Sequence, residues 1–460
     1  MIQKNGFHAI LERTRQLRLG FPLVCAAIFW PLSVFGSGFP TVDARFDDHG
    51  QASLVTQALL QSRKSDEARK ALAPLLASVA AKSPTSICEP LIQGHFELRV
   101  GEGQVVLRDL RIDERAALMA ALGSAKPESL RTYLDTHAQP GIPAGTRIAI
   151  LGILQSHGVA TDMSSLSEWV CGHGWEGRIR RDLRKAFGQA VAGILDRDPS
   201  AFLTINRMDR DLPVALKPAL ISALGGVGSR SSLTTLADML GNDSRLESLI
   251  LRELAVLGSK IPHPLNDDVL TKVAKALHSP SRTVRQQGIE ACRLMETTQA
   301  VPTLIKLLGS EDAAESEQAL KALESITGQR LSPIEREWTE WYAKATTWWE
   351  TEAQDLMLLV RTGTPAEVNQ ALVDLSRLRY FRHRLALPMA IALTNEEESI
   401  VGVACATLGH VASPLAVKPL LKLLAGSNTE RIQQAALQAL LNITGQNHGL
   451  DPEAWRQAGW

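Results

Sequence analysis

Between Trp338 and Trp349 the large aromatic residues fall at helical spacing: Trp338, Trp341, Tyr342, Trp348 and Trp349 share one stripe with Ala345. Rings placed this way could seat a sugar ring, a proline-rich peptide or a partner's hot-spot side chain. The commoner use of such a stripe is to dock a helix on its neighbours. A second group is RLRYFRHR, where Arg377, Arg379, Arg382, His383 and Arg384 surround Tyr380 and Phe381. Guanidinium groups interleaved with aromatics suit an acidic partner, an anionic polysaccharide or phosphate. Arg178, Arg180, Arg181, Arg184 and Lys185 form another basic run, of the sort that ordinarily faces solvent. The candidate binding residues are therefore Trp338, Trp341, Trp348, Trp349, Arg377, Arg379, Tyr380, Arg382 and Arg384.

Little else in the chain has the spacing of a reaction centre. Cys171 and His173 in WVCGHGW supply two metal ligands where a zinc site needs three or four, and no second pair lies nearby. Haem attachment needs two cysteines before the histidine. Asp47, Asp48 and His49 form an isolated acidic patch. There is no phosphate-binding glycine loop, no Gly-x-Ser-x-Gly elbow and no His-Glu-x-x-His. No catalytic residue, cofactor or metal ligand is assigned, and the chain reads as a non-enzyme.

The elements that must position the aromatic and basic groups follow from composition and repetition. The 460 residues are 45% hydrophobic and 21% charged, which provides for a large core. Lysine and arginine (49) balance aspartate and glutamate (49), so a generic nucleic-acid-coating role is disfavoured. Aromatic residues at 5% argue against a β-sandwich or propeller.

The first residues carry Lys4, Arg13, Arg15 and Arg18 against Glu12, then an apolar run from Leu19 to Phe35 and the small residues Gly36, Ser37 and Gly38. This resembles a secretory signal peptide, with Val34 and Gly36 at −3 and −1 of a cut before Ser37. Pro22 and Pro31 would break a buried helix and shorten a membrane span, although an uncleaved anchor is the competing reading. The residue before Cys25 is Val24, not the small residue that lipidation needs. The expected address is periplasmic or extracellular, with no membrane contact beyond this segment. Four cysteines would remain, and Cys88–Cys171 is the better candidate for a disulfide because Cys292 and Cys405 lie in apolar helical stretches.

Internal repetition decides the fold. TLIKLLGSEDAAESEQALKALESITGQ from Thr303 matches PLLKLLAGSNTERIQQAALQALLNITGQ from Pro419, helix for helix. Both end at a glycine, Gly328 and Gly445, where a left-handed helix cap is wanted. Both continue to a proline (Pro333, Pro452) and a tryptophan (Trp338, Trp455). The glycines are 117 residues apart, and so are the tryptophans. Weaker copies start at Ala219, Leu249, Thr283 and Val403, with helix ends near Gly225, Gly258 and Gly409.

These residues resemble the HEAT-repeat family of armadillo-like α-solenoids, here as an exported bacterial type. The family pattern is matched at Leu408, Gly409, Ala416, Val417, Pro419 and Leu420, and its Val-Arg pair at Val284–Arg285. The aspartate that commonly precedes that pair is Ser281 here. The resemblance covers about residues 210–460 and implies an all-α fold, an α-solenoid of stacked antiparallel helix pairs. One pair cannot bury its apolar face alone, so neighbours stack into a continuous core and leave a concave surface suited to a protein or peptide partner.

The preceding part differs. Two amphipathic helices are expected between Asp47 and Ser83, then a β-hairpin in HFELRVGEGQVVLRDL turning at Gly101–Gly103, then a helix capped by Asp113. The hairpin reads as an end cap for the solenoid. The organisation expected is residues 1–38 as signal peptide or anchor, 39–140 as cap region and 141–460 as repeat solenoid. Function on this reading is protein or peptide binding on the concave face, outside the cytoplasm and without nucleic acid. The alternatives are an envelope- or carbohydrate-binding module using the tryptophan helix, or a HEAT-like enzyme accessory of lyase type.

Overall fold

The computed structural model describes residues 48–100, 104–136, 142–171, 179–426 and 429–460. The export segment, the hairpin turn at 101–103, Asp47, His173 and Arg178 lie outside them. Gln51–Trp460 form one compact unit. Of the remaining unit, Met1–Gly50, the described part is the first turn of helix Asp48–Ser62. No helix among the described residues is long and apolar enough to cross a membrane.

The chain is all-α with one two-stranded sheet. Helix Ala144–His157 packs on Arg181–Arg197, which packs on Lys217–Val227, and the row continues through Glu247–Gly258 and Arg282–Leu294 to Ala313–Thr327. A second row, including Arg230–Asp238 and Asp267–Lys275, packs beside it. Later in the chain Pro365–Ser376, Glu398–Val411 and Glu430–Thr444 resume the same order. Successive helix pairs that bury one another's apolar faces are a HEAT-like solenoid.

Both expected helix caps are present. Gly328 and Gly445 sit at φ +72° and +69°, and their N–H groups donate to Glu324 and Leu441 carbonyls at 2.9 and 2.8 Å. The weaker copies end near their glycines as expected: Gly225 and Gly409 lie in the last turn of their helices and Gly258 is the last residue of its helix. At Gly409 a Cβ would stand 3.0 Å from Ala439 Cα, so the missing side chain lets two repeat helices approach. The Val-Arg motif works without its usual aspartate: Arg285 reaches Glu315 of the next repeat at 2.6 Å and the Ser279 carbonyl at 3.1 Å. Arg282 pairs with Asp312 beside it.

The hairpin forms as expected, β1 (His95–Val100) antiparallel to β2 (Gln104–Asp109), with Phe96 opposite Arg108. Arg63 fastens it, donating to the Asp109 carbonyl and to Glu114, with its guanidinium 5.1 Å over the Phe96 ring. The next helix starts at Ile112, and the expected Asp113 cap is corrected: Glu114 reaches back to accept the Arg111 N–H at 2.9 Å. A carboxylate three residues into the helix has the reach that its neighbour lacks. The disulfide expectation is corrected too. Cys88, Cys171, Cys292 and Cys405 are all free thiols, each buried as a small apolar group.

The buried core is in two clusters, and the division falls inside helix Glu335–Glu350. Trp338 closes a cluster that begins at Val55, and Ala345 opens one that ends at Trp455. Trp341 and Tyr380 pack against both.

Candidate functional site

The tryptophan helix, Glu335–Glu350, begins just after Pro333, and its stripe is docked and not a free shelf. Trp338 is fully buried, its Nε1 donating to the Ser332 carbonyl at 3.0 Å, which removes it from any binding surface. Trp455 repeats this arrangement: fully buried, with Nε1 donating to the Gly449 carbonyl at 2.9 Å. The amphipathic helix needs an anchor whose polar N–H still finds a partner, and indole satisfies both demands.

The two groups that the sequence presents separately meet in space. Segment 379–384 lies along the tryptophan helix. Tyr380 meets Trp341 and Tyr342 edge-on at 5.6 and 6.3 Å, and Phe381 stacks on Trp348 and Trp349 at 6.1 and 4.6 Å. The Arg384 guanidinium lies 4.0 Å over the Trp349 ring, so Trp349 carries a cation as well as the Phe381 ring. Arg377 pairs with Asp374 in the preceding turn at 3.1 Å, and exposed Arg379 lies against Gly328. Arg382 is withdrawn from the surface: it is 6% exposed and bound to Glu296. The other basic run behaves as a solvated face, with Arg180 paired to Asp182 and Arg181, Arg184 and Lys185 exposed.

What remains open to a ligand is a cleft between the tryptophan helix and Leu378, lined by Trp341, Lys344, Trp348, Glu352 and Leu378. Its floor is half-buried indole and leucine, and its rim carries one cation and one anion. Such a cleft can anchor an apolar side chain while the rim orients the backbone that carries it.

Segment 379–384 also belongs to a cluster the sequence does not disclose. Glu296 follows helix Arg282–Leu294 in a left-handed conformation (φ +51°), and its carboxylate is held by Arg382 Nη2 across 86 residues of sequence. The Arg382 Nε donates toward His383 Nε2 at 3.3 Å, and His383 Nδ1 meets Ser413 Oγ at 3.0 Å. The His263 ring stacks on His383 with centroids 4.8 Å apart. Arg230 fixes the loop around His263, donating to the Pro262 and Pro264 carbonyls. Tyr380 closes the same seam through a hydroxyl donated to the Thr298 carbonyl at 3.3 Å.

Histidine, glutamate and histidine with ligand atoms within 4.8 Å of one another are donors of the type a divalent ion takes. Here the Arg382 guanidinium already supplies the cation, bonded to the carboxylate and directed at one imidazole. Burial lowers its pKa to about 10, and its Nη1 has no hydrogen-bond partner. Burial, then the charges of Arg382 and Arg379, hold His383 at about 4. Burial, then His383, Arg382 and Arg230, do the same to His263. Glu296, 3.2 Å from His383 Nε2, would alone favour imidazolium, but Arg382 has already neutralised it. Sequence shows a basic-aromatic run at 379–384; it gives no sign of Glu296, His263 or Ser413, which three separate inter-helix turns bring to it.

No protein-family model matches the chain, and no curated protein does. Among solved structures it is similar to yeast importin-beta, at 12% identity over 87% of this chain and 58% of that one, with a TM-score of 0.29. The chain thus spans about 58% of that relative's length. The solenoid itself is evident from the helix pairing described above.

Proposed function

We propose that this chain is a non-enzymatic scaffold that binds an extended protein or peptide segment through its concave face, outside the cytoplasm. The observation that carries the reading is the cleft of Trp341, Trp348 and Leu378 with Lys344 and Glu352 at its rim. Half-buried indoles bordered by opposite charges are the composition of a peptide hot spot, and stacked repeats extend the contact on either side. The basic, then apolar, then small-residue pattern of residues 1–38 supports the address. Trp338 is buried and Trp349 is covered by Arg384 and Phe381, so of the tryptophan stripe Trp341 and Trp348 line the cleft.

The test is selection of peptides from a random display library on the full chain, followed by anisotropy titration. Trp348→Ala is expected to weaken the selected peptides about tenfold or more, roughly 1.4 kcal/mol, while Lys185→Glu on the distant basic face leaves affinity unchanged. Affinity insensitive to Trp348→Ala, or no enrichment over a control surface, overturns the reading. The address is tested by sequencing the mature amino terminus, where an intact Met1 in a cytoplasmic fraction overturns it.

A further inference from the structure

We infer that Glu296, Arg382, His383 and His263 form an acid-sensitive latch, which holds segment 379–384 against the turn at 296–298 and releases it when the two imidazoles take up protons. The release itself stands on the cluster's geometry. Its consequence for a ligand rests on the peptide-cleft reading, because Tyr380 and Phe381 of this segment support Trp341 and Trp348.

The argument begins with a charge count. With both histidines neutral, one carboxylate and one buried guanidinium cancel. His383 is satisfied as a neutral ring in either tautomer: Nδ1–H donating to Ser413 with Nε2 accepting from Arg382 Nε, or Nε2–H donating to Glu296 with Nδ1 accepting from the Ser413 hydroxyl. A second proton on the ring would leave Nε2 unable to accept from Arg382 and would set a second cation beside Arg382 for the one Glu296 carboxylate. A proton on His263 would stand beside a stacked imidazole, with the Glu296 carboxylate within 4.8 Å already bonded to Arg382 and with the charges of Arg382 and Arg230 opposing it. His383 faces Arg382 and Arg379, and Glu296 is the acid at its ring. Two added protons therefore leave a partly buried cluster with two uncompensated charges, which opening the seam to water relieves.

The location makes this consequential. The two core clusters divide inside the tryptophan helix, and segment 379–384 ties the second block to the turn at 296–298 of the first. A divalent ion would add the same excess charge as two protons, so the geometry that makes the cluster acid-sensitive also disfavours a metal there.

The sign follows from the lowered imidazole values. The closed seam resists protons that the opened one accepts near the ordinary 6.5, so the latch is fully closed above about pH 6.5 and weakens progressively toward pH 4. The test is amide hydrogen exchange on the full chain from pH 7 to pH 4, corrected for intrinsic rates, with tryptophan fluorescence alongside. Expected is a selective loss of protection at 296–298 and 379–384 below pH 6.5, while helix Arg181–Arg197 keeps its protection. The double variant His263→Gln/His383→Gln, which retains hydrogen-bonding side chains without the titration, is expected to move that loss down by about one pH unit or more. An unshifted loss in the double variant, or protection lost everywhere at once, overturns the latch. So does micromolar zinc binding at pH 7 that the double variant abolishes, since it would show that the seat accepts a second cation. None of these readouts uses a peptide, so they stand apart from the test of the cleft.

Discussion

Glu296 and Ala412 hold the same place in two copies of the repeat, just past helices Arg282–Leu294 and Glu398–Val411, and both enter the left-handed region, at φ +51° and +53°. Among the described residues no other non-glycine does so. The chain keeps a strained turn twice and gives it a carboxylate once.

The two positions should respond oppositely to glycine. Ala412→Gly relieves a conformation that costs an L-residue about 1–2 kcal/mol, and the greater freedom of the unfolded glycine offsets part of that, so it should be neutral or stabilising by up to about 1 kcal/mol. Glu296→Gly gains the same relief but leaves Arg382 buried without its partner, and should destabilise by about 2–4 kcal/mol. Urea denaturation followed by circular dichroism measures both.

Trp338 and Trp455 should behave as a structural pair. Each truncation to alanine removes a fully buried indole and is expected to lower stability by about 3–5 kcal/mol, against about 1 kcal/mol for half-buried Trp348. Acrylamide quenching of single-tryptophan variants should find Trp338 and Trp455 protected and Trp348 accessible. Equal quenching of all three would refute the docked arrangement.

Two glycines about two turns apart in one helix separate close packing from mere flexibility. Gly409→Ala puts a Cβ 3.0 Å from Ala439 Cα and should cost about 1–3 kcal/mol. Gly402→Ala meets nothing within 4 Å in the same helix and should stabilise by about 0.5–1 kcal/mol. Thermal denaturation of the two variants gives the ordering.

Glu315 makes the repeat ladder sensitive to strong acid. Burial opposes its ionisation, but the bonds to Arg285 and Ser310 outweigh burial and lower its pKa. A carboxyl with a depressed folded value contributes stability above its ordinary value of 4.5 and loses it as pH falls below that point. Glu315→Gln should flatten the stability profile below pH 4.5 and leave the profile between 5 and 7 displaced but parallel. This window lies below the onset expected for the histidine latch, so the two are separable in one titration.

The solenoid was legible in sequence because its determinants are local and repeated. ITGQ endings place Gly328 and Gly445, and Leu-Ile pairs place the apolar faces. Arg285 remained informative although Ser281 replaces the usual aspartate, because its partner comes from the next repeat. The joining of the tryptophan stripe to the 379–384 run was not legible, although each was visible alone. Their meeting depends on how the stack continues past the tryptophan helix, which no local pattern encodes. Cys88 and Cys171 misled for a related reason: compartment speaks only to permission for a bond, while a bond needs the two sulfurs brought together, and both remain free buried thiols.

Trp338 in mid-chain and Trp455 near the end hold equivalent helices against equivalent partners, Val301–Leu307 and Val417–Leu424. An indole-anchored helix of the same kind therefore occurs twice, with its tryptophans 117 residues apart. The interior changes partway along one continuous helix, so the later block is joined to the earlier one by that helix, by shared aromatic rings and by a few polar ties. Loosening such a joint would wet Trp341 and Tyr380 first, because these two rings serve the interiors on both sides.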